Sequence, residues 1–176
     1  LFRSGRVAAK LLDLVADAGQ IAIIHIDENY KNAVHMQEKE RGFRSYFEEN
    51  ESSAYILTKL KLKNPNVELN FNTFLNENPD LSGIFVTTSK AYQIAKIINE
   101  AKSKKISIVG YDLIDENMTY LQHGIIDFII HQNQKRQAYL GVTSLVEYFL
   151  FQKGIPEKIL LPIDIVNSEN ADYYID

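Results

Sequence analysis

The stretch GIFVTTSKAYQIAKIINEAKSKKISIVGYD, from Gly83 to Asp112, decides the fold class. It begins with GIFVTT, a short apolar run typical of a strand that is buried on both faces. Apolar residues then recur at helical spacing, at Ala91, Ile94, Ala95, Ile98 and Ala101. The stretch ends with ISIVGYD, a second apolar run. A strand, a helix and another strand in this order predict one unit of a parallel α/β sheet.

The same alternation extends through the rest of the chain. Further strands are predicted at IAIIHI (21–26), YILTKLKL (55–62), IIDFIIHQ (125–132) and ILLPIDIV (159–166). YILTKLKL alternates as an edge strand does, and Pro162 confines the last run to an edge as well. A long polar helix is predicted from Lys31 to Asn50. The predicted order is therefore α-β repeated six times. No strand precedes the first helix, so we expect the chain to be the later part of a larger protein.

The composition excludes several classes of function. The chain has 176 residues and a formal net charge of −4, whereas a broad nucleic-acid surface needs clustered lysine and arginine. It has no cysteine, which excludes disulfides, thiol catalysis and thiolate metal sites. Its glycines form neither GxGxxG nor P-loop spacing, and HExxH and GxSxG motifs are absent. The longest apolar run, Ala138 to Phe151, is too short to span a bilayer. We therefore predict no catalytic residue, cofactor, metal site or membrane segment.

Polar side chains follow the predicted strands at their carboxyl ends, where open parallel sheets bind ligands. They are Asp27 with Asn29, then Thr87 to Ser89, then Asp112, and then Gln132. These groups donate and accept hydrogen bonds, and none is an obvious nucleophile. Such a rim could hold a neutral polyhydroxylated ligand. The alternative at each position is structural, because Asp, Asn and Thr also cap helices.

Two further features are predicted to be structural. The segment QEKERGFRSYF, from Gln37 to Phe47, mixes both charges at helical spacing, which predicts a solvated helix face with local ion pairs. The alternative is that one basic residue turns toward a cleft. His25 lies inside a predicted strand, and we expect a neutral, hydrogen-bonded ring there instead of a metal ligand.

Several segments stand in a characteristic order: SGRVAAKLL, QIAIIHI, KERGFRSYF, GIFVTTSKAYQIAKIINEA, ISIVGYD, IIDFIIHQNQKRQAYLGVTSLVEYF and KILLPIDIV. Together they resemble the effector-binding domain of LacI-family transcription regulators, a relative of the periplasmic sugar-binding proteins. The resemblance implies a periplasmic-binding-protein-like type I fold, in which a parallel sheet has helices on both faces and two lobes enclose a ligand cleft. By this comparison, residues 1–131 form the C-terminal lobe. Residues 132–158 return to an N-terminal lobe, and residues 159–176 come back.

The resemblance also implies five ligand-binding residues, Asp112, Gln132, Thr88, Lys39 and Asp27. Asp112 matches the family's cleft aspartate, which accepts hydrogen bonds from ligand hydroxyls or ring nitrogens. Gln132 matches a glutamine at the crossover between the lobes. Thr88 stands where many members have Asn, and Lys39 stands where the family usually has Arg. Asp27 opens a polar, acidic loop that reaches Tyr30, in place of the small Gly-, Pro- and Ser-rich loop of relatives.

The function implied by the resemblance is small-molecule sensing. A carbohydrate effector closes the lobes of a cytoplasmic homodimer, and closure changes the affinity for DNA through a domain upstream of this chain. No catalytic step is required. Two alternatives stay open. One is a solute-binding protein of a sugar transporter, and the other is a flavodoxin-like enzyme domain that uses the same strand ends for catalysis.

Overall fold

The computed structural model describes residues 1–27, 33–50, 54–101 and 105–174. Helices and strands alternate in the predicted order. The elements are α1 (Phe2–Val15), β1 (Gly19–Ile26), α2 (Val34–Glu49), β2 (Tyr55–Leu62), α3 (Val67–Glu77), β3 (Leu81–Val86), α4 (Ala91–Ala101), β4 (Ser107–Tyr111), α5 (Asp115–Gln122), β5 (Phe128–His131), α6 (Gln134–Phe151), β6 (Asp164–Val166) and a 3₁₀ turn (Ala171–Tyr174). The predicted beginning of α2, at Lys31, lies outside the described residues.

The strands form one six-stranded sheet in the order β2-β1-β3-β4-β5-β6. All neighbouring pairs are parallel except β5 and β6, which are antiparallel. Both predicted edge strands, β2 and β6, lie at the edges of the sheet. Every residue of β3 and of β4 is buried, as their unbroken apolar runs predict.

Helices cover both faces of the sheet. On one face, α1 and α2 pack on the strands, and the ring of Phe43 stacks on that of Phe85 with the ring centroids 4.6 Å apart. On the other face, α3, α4 and α5 form a second core around Phe71 and Leu121. The prediction of an α/β fold with a mostly parallel sheet flanked by helices is therefore confirmed.

The helices α1 and α2 cross in close contact because each has a glycine at the crossing. The backbone carbonyl of Lys39 occupies the space that a Cβ at Gly5 would need, and the carbonyl of Phe2 does the same at Gly42. The crossing brings the first half of α2 close to the sheet and so sets the position of Lys39.

The helix α6 stands apart from both cores, and none of its residues is buried. Large apolar side chains on α6 and on the segment that follows it are exposed. They are Tyr139, Val142, Leu145, Val146, Tyr148, Phe149, Leu150, Phe151, Ile155, Ile159 and Leu160. A groove of about 370 Å³ runs between α6 and that segment. Among the helices of the described residues, none is both long and apolar enough to cross a membrane.

Candidate functional site

A polar cavity of about 240 Å³ lies at the carboxyl ends of β3, β4 and β5. Its lining residues are Leu1, His35, Lys39, Thr87, Thr88, Ser89, Asp112 and Gln132. Four of the five predicted ligand-binding residues, Lys39, Thr88, Asp112 and Gln132, therefore meet at one cavity. They come from α2 and from the ends of three strands, so the fold and not the local sequence brings them together.

Lys39 reaches the cavity from α2, and its residue is only 4% exposed. Its Nζ donates a hydrogen bond to the backbone carbonyl of Thr87 at 3.0 Å and lies 3.5 Å from the centre of the Tyr111 ring. Burial lowers the pKa of Lys39 from 10.5 to about 8, although the nearby charge of Asp112 acts in the opposite direction. The lysine is thus a partly desolvated cation at the cavity wall.

The prediction of a solvated face on α2 is wrong for two of its residues. Lys39 and Glu40 are both buried, whereas Glu38 and Arg41 form the predicted surface ion pair at 2.7 Å. The physical reason is the helix crossing at Gly5, which presses this turn of α2 against α1 and the sheet. The alternative, in which one basic residue turns toward a cleft, is correct for Lys39.

Asp112 directly follows β4 and has a positive φ of 68°. Asp tolerates this left-handed conformation better than most residues. Its Oδ1 accepts hydrogen bonds from the side-chain amides of Gln132, at 3.5 Å, and of Gln134. Its Oδ2 has no hydrogen-bond partner among the described residues, so one carboxylate oxygen is open to a ligand. Gln134, the first residue of α6, was not predicted from the sequence.

Asn117 joins backbone segments that form this site. It was not predicted from the sequence. The side chain is fully buried, and its Nδ2 lies within hydrogen-bond distance of the carbonyl oxygens of Ser89, Tyr111 and Asp112, at 2.8, 3.0 and 2.9 Å. Its Oδ1 accepts a hydrogen bond from the backbone N–H of Tyr92 at 2.8 Å. Asn117 therefore joins the loop after β3 to the loop after β4. Its position in α5, the helix that follows β4, is the sequence signal that could have indicated it.

Asp27, the fifth predicted ligand residue, does not line the cavity. Its carboxylate pairs with the Nζ of Lys90 at 2.7 Å and accepts a hydrogen bond from the backbone N–H of Asn64, also at 2.7 Å. These contacts, with the bond from Asn64 as the larger cause, hold the pKa of Asp27 below its usual value of 3.8. Asn29 and Tyr30, the other residues predicted for this wall, lie outside the described residues.

A buried hydrogen-bond network lies beneath the cavity. His25 bonds to the Thr87 hydroxyl through Nδ1 at 2.7 Å and to Glu40 through Nε2 at 3.0 Å. The prediction of a hydrogen-bonded histidine is confirmed, and burial lowers the pKa of His25 from its ordinary value of 6.5 in spite of Glu40, which favours the neutral ring. Glu40 also pairs with Arg44 at 2.9 Å and with Lys59 at 2.7 Å. Thr87 therefore connects this network to Lys39.

The remaining lining residues are Leu1 and His35. His35 is exposed at the mouth of the cavity, one helical turn before Lys39. No role in ligand binding was predicted for His35 from the sequence. Spacing alone indicates it, because residues four apart in a helix share a face.

A family model described as a periplasmic binding protein domain matches residues 2–153. A candidate LacI transcriptional regulator from Bacteroides fragilis is 29% identical, with a TM-score of 0.90 over 99% of this chain and 62% of that chain. No curated protein matches this chain.

Two other solved structures are similar at lower identity. A periplasmic ribose ABC transporter protein from Conexibacter woesei is 18% identical, with a TM-score of 0.80 over 98% of this chain and 59% of that one. A periplasmic solute binding protein of an ABC transporter from Actinobacillus succinogenes, with bound D-allose, is 20% identical, with a TM-score of 0.80 over 98% and 60%. The chain thus spans between 59% and 62% of the length of these three structures. The predicted periplasmic-binding-protein-like type I fold is confirmed.

Proposed function

The chain belongs to the family of periplasmic binding protein domains, and on this premise we propose that it binds a sugar or sugar derivative as the effector-sensing domain of a LacI-type transcription regulator. The observation that carries the proposal is the convergence of Lys39, Thr88, Asp112 and Gln132 on one polar cavity at the strand ends. This wall contains both donors and acceptors of hydrogen bonds, which suits a ligand that has several hydroxyl groups.

The binding chemistry is noncovalent. The open Oδ2 of Asp112 accepts a hydrogen bond from a ligand hydroxyl, and the Thr88 hydroxyl and the Gln132 amide supply further polar contacts. The cavity measures about 240 Å³ on this chain alone, and in the proposed protein the other lobe completes the cleft. A small ligand such as a single sugar ring suits this space. Noncovalent binding of this kind needs neither a nucleophile nor a general base.

A regulator is favoured by the similarity to the Bacteroides fragilis structure, which has the higher identity and TM-score of the three relatives. The second candidate is a solute-binding protein of a sugar transporter. This chain shares its fold with transporter proteins at a TM-score of 0.80, one of them with bound D-allose. Their identities of 18% and 20% support the fold alone.

The exposed apolar face of α6 supports the proposed division into lobes. An exposed patch of this size usually marks a contact surface, and in our proposal residues 132–158 pack on an N-terminal lobe while residues 1–131 and 159–176 form the C-terminal lobe. Ligand binding then closes the lobes and shifts a cytoplasmic homodimer between two states that differ in DNA affinity. The contacts with DNA come from another domain, since the net charge of this chain is −4.

The proposal is tested with the full-length natural protein. We expect one or more sugars from a panel of aldoses and ketoses to raise the melting temperature by several degrees, because a ligand that binds only the folded state stabilises it. We also expect the same sugar to change binding to DNA from the protein's own promoter region in a mobility-shift assay. Stabilisation without DNA binding, together with export of the protein from the cytoplasm, would favour the transporter candidate. Turnover of the sugar that Asp112→Ala abolishes would refute both.

A further inference from the structure

We propose that the ligand of this cavity carries a carboxylate that pairs with Lys39, so that the effector is a sugar acid and not a neutral sugar. The inference rests on the proposed function and narrows its substrate class. The observation behind it is the environment of one buried cation, Lys39.

The Lys39 ammonium is buried but has few compensating contacts. A charged group that leaves water is stabilised only when it is paired and hydrogen bonded. An ammonium has three N–H donors, and within the described part of the chain only the Thr87 carbonyl accepts a hydrogen bond from it. The Tyr111 ring adds a cation–π contact at 3.5 Å. Lys39 lines the cavity, so a ligand bound there can accept hydrogen bonds from its other two N–H donors.

Two half-buried lysines near this site have their own carboxylates. Lys90 pairs with Asp27 at 2.7 Å, and Lys59 pairs with Glu40 at 2.7 Å. Lys39 forms no ion pair with any described residue. The charge of Asp112 acts on its pKa without forming an ion pair, and the Oδ1 of Asp112 is already bonded to the amides of Gln132 and Gln134. The missing counter-ion is therefore expected from the ligand.

A carboxylate suits this wall better than a phosphate does. Lysine offers one compact point charge, whereas phosphate sites usually combine several cationic or backbone donors. Asp112 stands on the same cavity and repels a dianion more strongly than a monoanion. In the proposed complex the ligand carboxylate lies on Lys39, and ligand hydroxyls lie on the Asp112 Oδ2 and on Thr88.

The test compares matched ligands by titration calorimetry on the full-length natural protein at pH 7. The probes are D-glucose, D-galactose and D-mannose, each beside its own uronic acid. We expect at least one acid to bind about tenfold or more tightly than its neutral partner, since a hydrogen bond to a charged group contributes that much. Lys39→Met keeps most of the unbranched apolar stem without the charge, and should reduce the affinity for the acid to that for the neutral sugar. Lys96→Met removes an exposed lysine of α4 and should change neither affinity.

A second measurement separates an electrostatic role of Lys39 from a structural one. At pH 8 a ligand carboxylate should cause proton uptake on binding, seen as a binding enthalpy that depends on the ionisation enthalpy of the buffer. The other titratable groups that line the cavity or contact the ammonium are His35, Tyr111 and Asp112, so the uptake is assigned by its loss in Lys39→Met.

The outcomes are distinct. Tighter binding of an acid, lost in Lys39→Met, supports the inference. Equal or tighter binding of the neutral sugars, or an acid affinity that Lys39→Met leaves unchanged, overturns it while the proposed function stands. If no sugar and no sugar acid binds, the proposed function fails and the inference fails with it.

Discussion

The ammonium group of Lys39 lies 3.5 Å from the centre of the Tyr111 ring, and both residues are almost fully buried. Burial acts on the two groups in opposite directions, because it disfavours the charged form of each. It lowers the pKa of Lys39 to about 8 and raises the pKa of Tyr111. The ring and the Thr87 carbonyl offset only part of the cost of desolvating the ammonium. A cation is therefore kept at the cavity wall at the expense of stability.

The first prediction concerns the stability of the protein at alkaline pH. Because the pKa of Lys39 is lowered from 10.5 to about 8, the unfolded chain holds a proton between these values that the folded chain has released. Stability rises with pH wherever the unfolded state binds more protons. We expect the free energy of unfolding to rise by about 1.5 kcal/mol from pH 8 to pH 9.5, relative to Lys39→Met. Chemical denaturation at each pH measures both proteins.

The pH range of this comparison ends at 9.5 because tyrosines affect stability at higher pH. Burial also raises the pKa of Tyr46, Tyr55 and Tyr111, so stability falls once the unfolded phenols ionise near pH 10. Subtracting the curve of Lys39→Met removes this contribution. Parallel curves for the two proteins would contradict a lowered pKa of Lys39.

The second prediction concerns Asn117, whose side chain joins two loops beneath the cavity. Asn117→Leu keeps the branched shape of the side chain but leaves three carbonyl oxygens and one N–H without their partner. Each unsatisfied buried group costs about 1 to 3 kcal/mol, so we expect a total loss of about 4 kcal/mol in urea denaturation. Asn70→Leu changes an exposed Asn on α3 and should cost about 0.5 kcal/mol or less. Equal effects of the two substitutions would show that Asn117 does not hold the loops.

The strands, the helices and their order could be predicted because apolar periodicity records which faces are buried. The strand ends then indicated Thr88, Asp112 and Gln132. The burial of Lys39 and Glu40 could not be predicted, because the charged pattern of α2 does not reveal where that helix crosses another at Gly5.

The environment of Asp27 was hidden for a related reason. Its partners Asn64 and Lys90 lie 37 and 63 positions away in the sequence. Only the pairing of the strands, with β1 between β2 and β3, brings them to one place. Contacts of this kind depend on sheet order and register, which a single sequence specifies weakly.

The third prediction concerns Gly110, where β4 touches α4. A Cβ at this position would come within 2.6 Å of the Ala91 Cβ, so Gly110→Ala forces the helix away from the strand. We expect a loss of about 2 kcal/mol in the free energy of unfolding. Gly141→Ala is the matched control, since its added Cβ meets no atom within 4 Å in α6 and should stabilise by about 0.5 kcal/mol or more. Ala91→Gly should partly restore the stability of Gly110→Ala, and a failure to do so would mean that the strain lies elsewhere.

The fourth prediction concerns the buried carboxylate of Glu40. It pairs with Arg44 and Lys59 and bonds to His25, and its side chain is 7% exposed. Glu40→Gln keeps the shape but removes the charge, and we expect a loss of about 2 kcal/mol because charged hydrogen bonds are replaced by weaker ones. Glu38→Gln on the same helix breaks a solvent-exposed pair and should cost about 0.5 kcal/mol or less. The expectation fails if thermal or urea denaturation gives the two variants the same stability.

The fifth prediction separates the two aspartates that follow strands. The Asp27 carboxylate is engaged by Lys90 and Asn64, whereas the Asp112 carboxylate faces the cavity with one oxygen free of hydrogen bonds to described residues. We therefore expect Asp27→Asn to act mainly on stability, with a loss of about 1 kcal/mol that is greatest at neutral pH. The loss should fade in acid, because a carboxylate with a lowered pKa stabilises the fold above its unfolded pKa and loses that effect as pH falls through its folded pKa.

Asp112→Asn should show the opposite behaviour. The amide oxygen of Asn can still accept the hydrogen bonds from Gln132 and Gln134, so stability should change by about 0.5 kcal/mol or less. The affinity for any ligand found by thermal shift should fall about tenfold or more, because a charged acceptor for ligand hydroxyls is lost. Calorimetry and urea denaturation on both variants give the comparison. If Asp27→Asn weakens ligand binding as strongly as Asp112→Asn does, then Asp27 contacts the ligand directly, as the family resemblance implied, and its pair with Lys90 must open when the ligand binds.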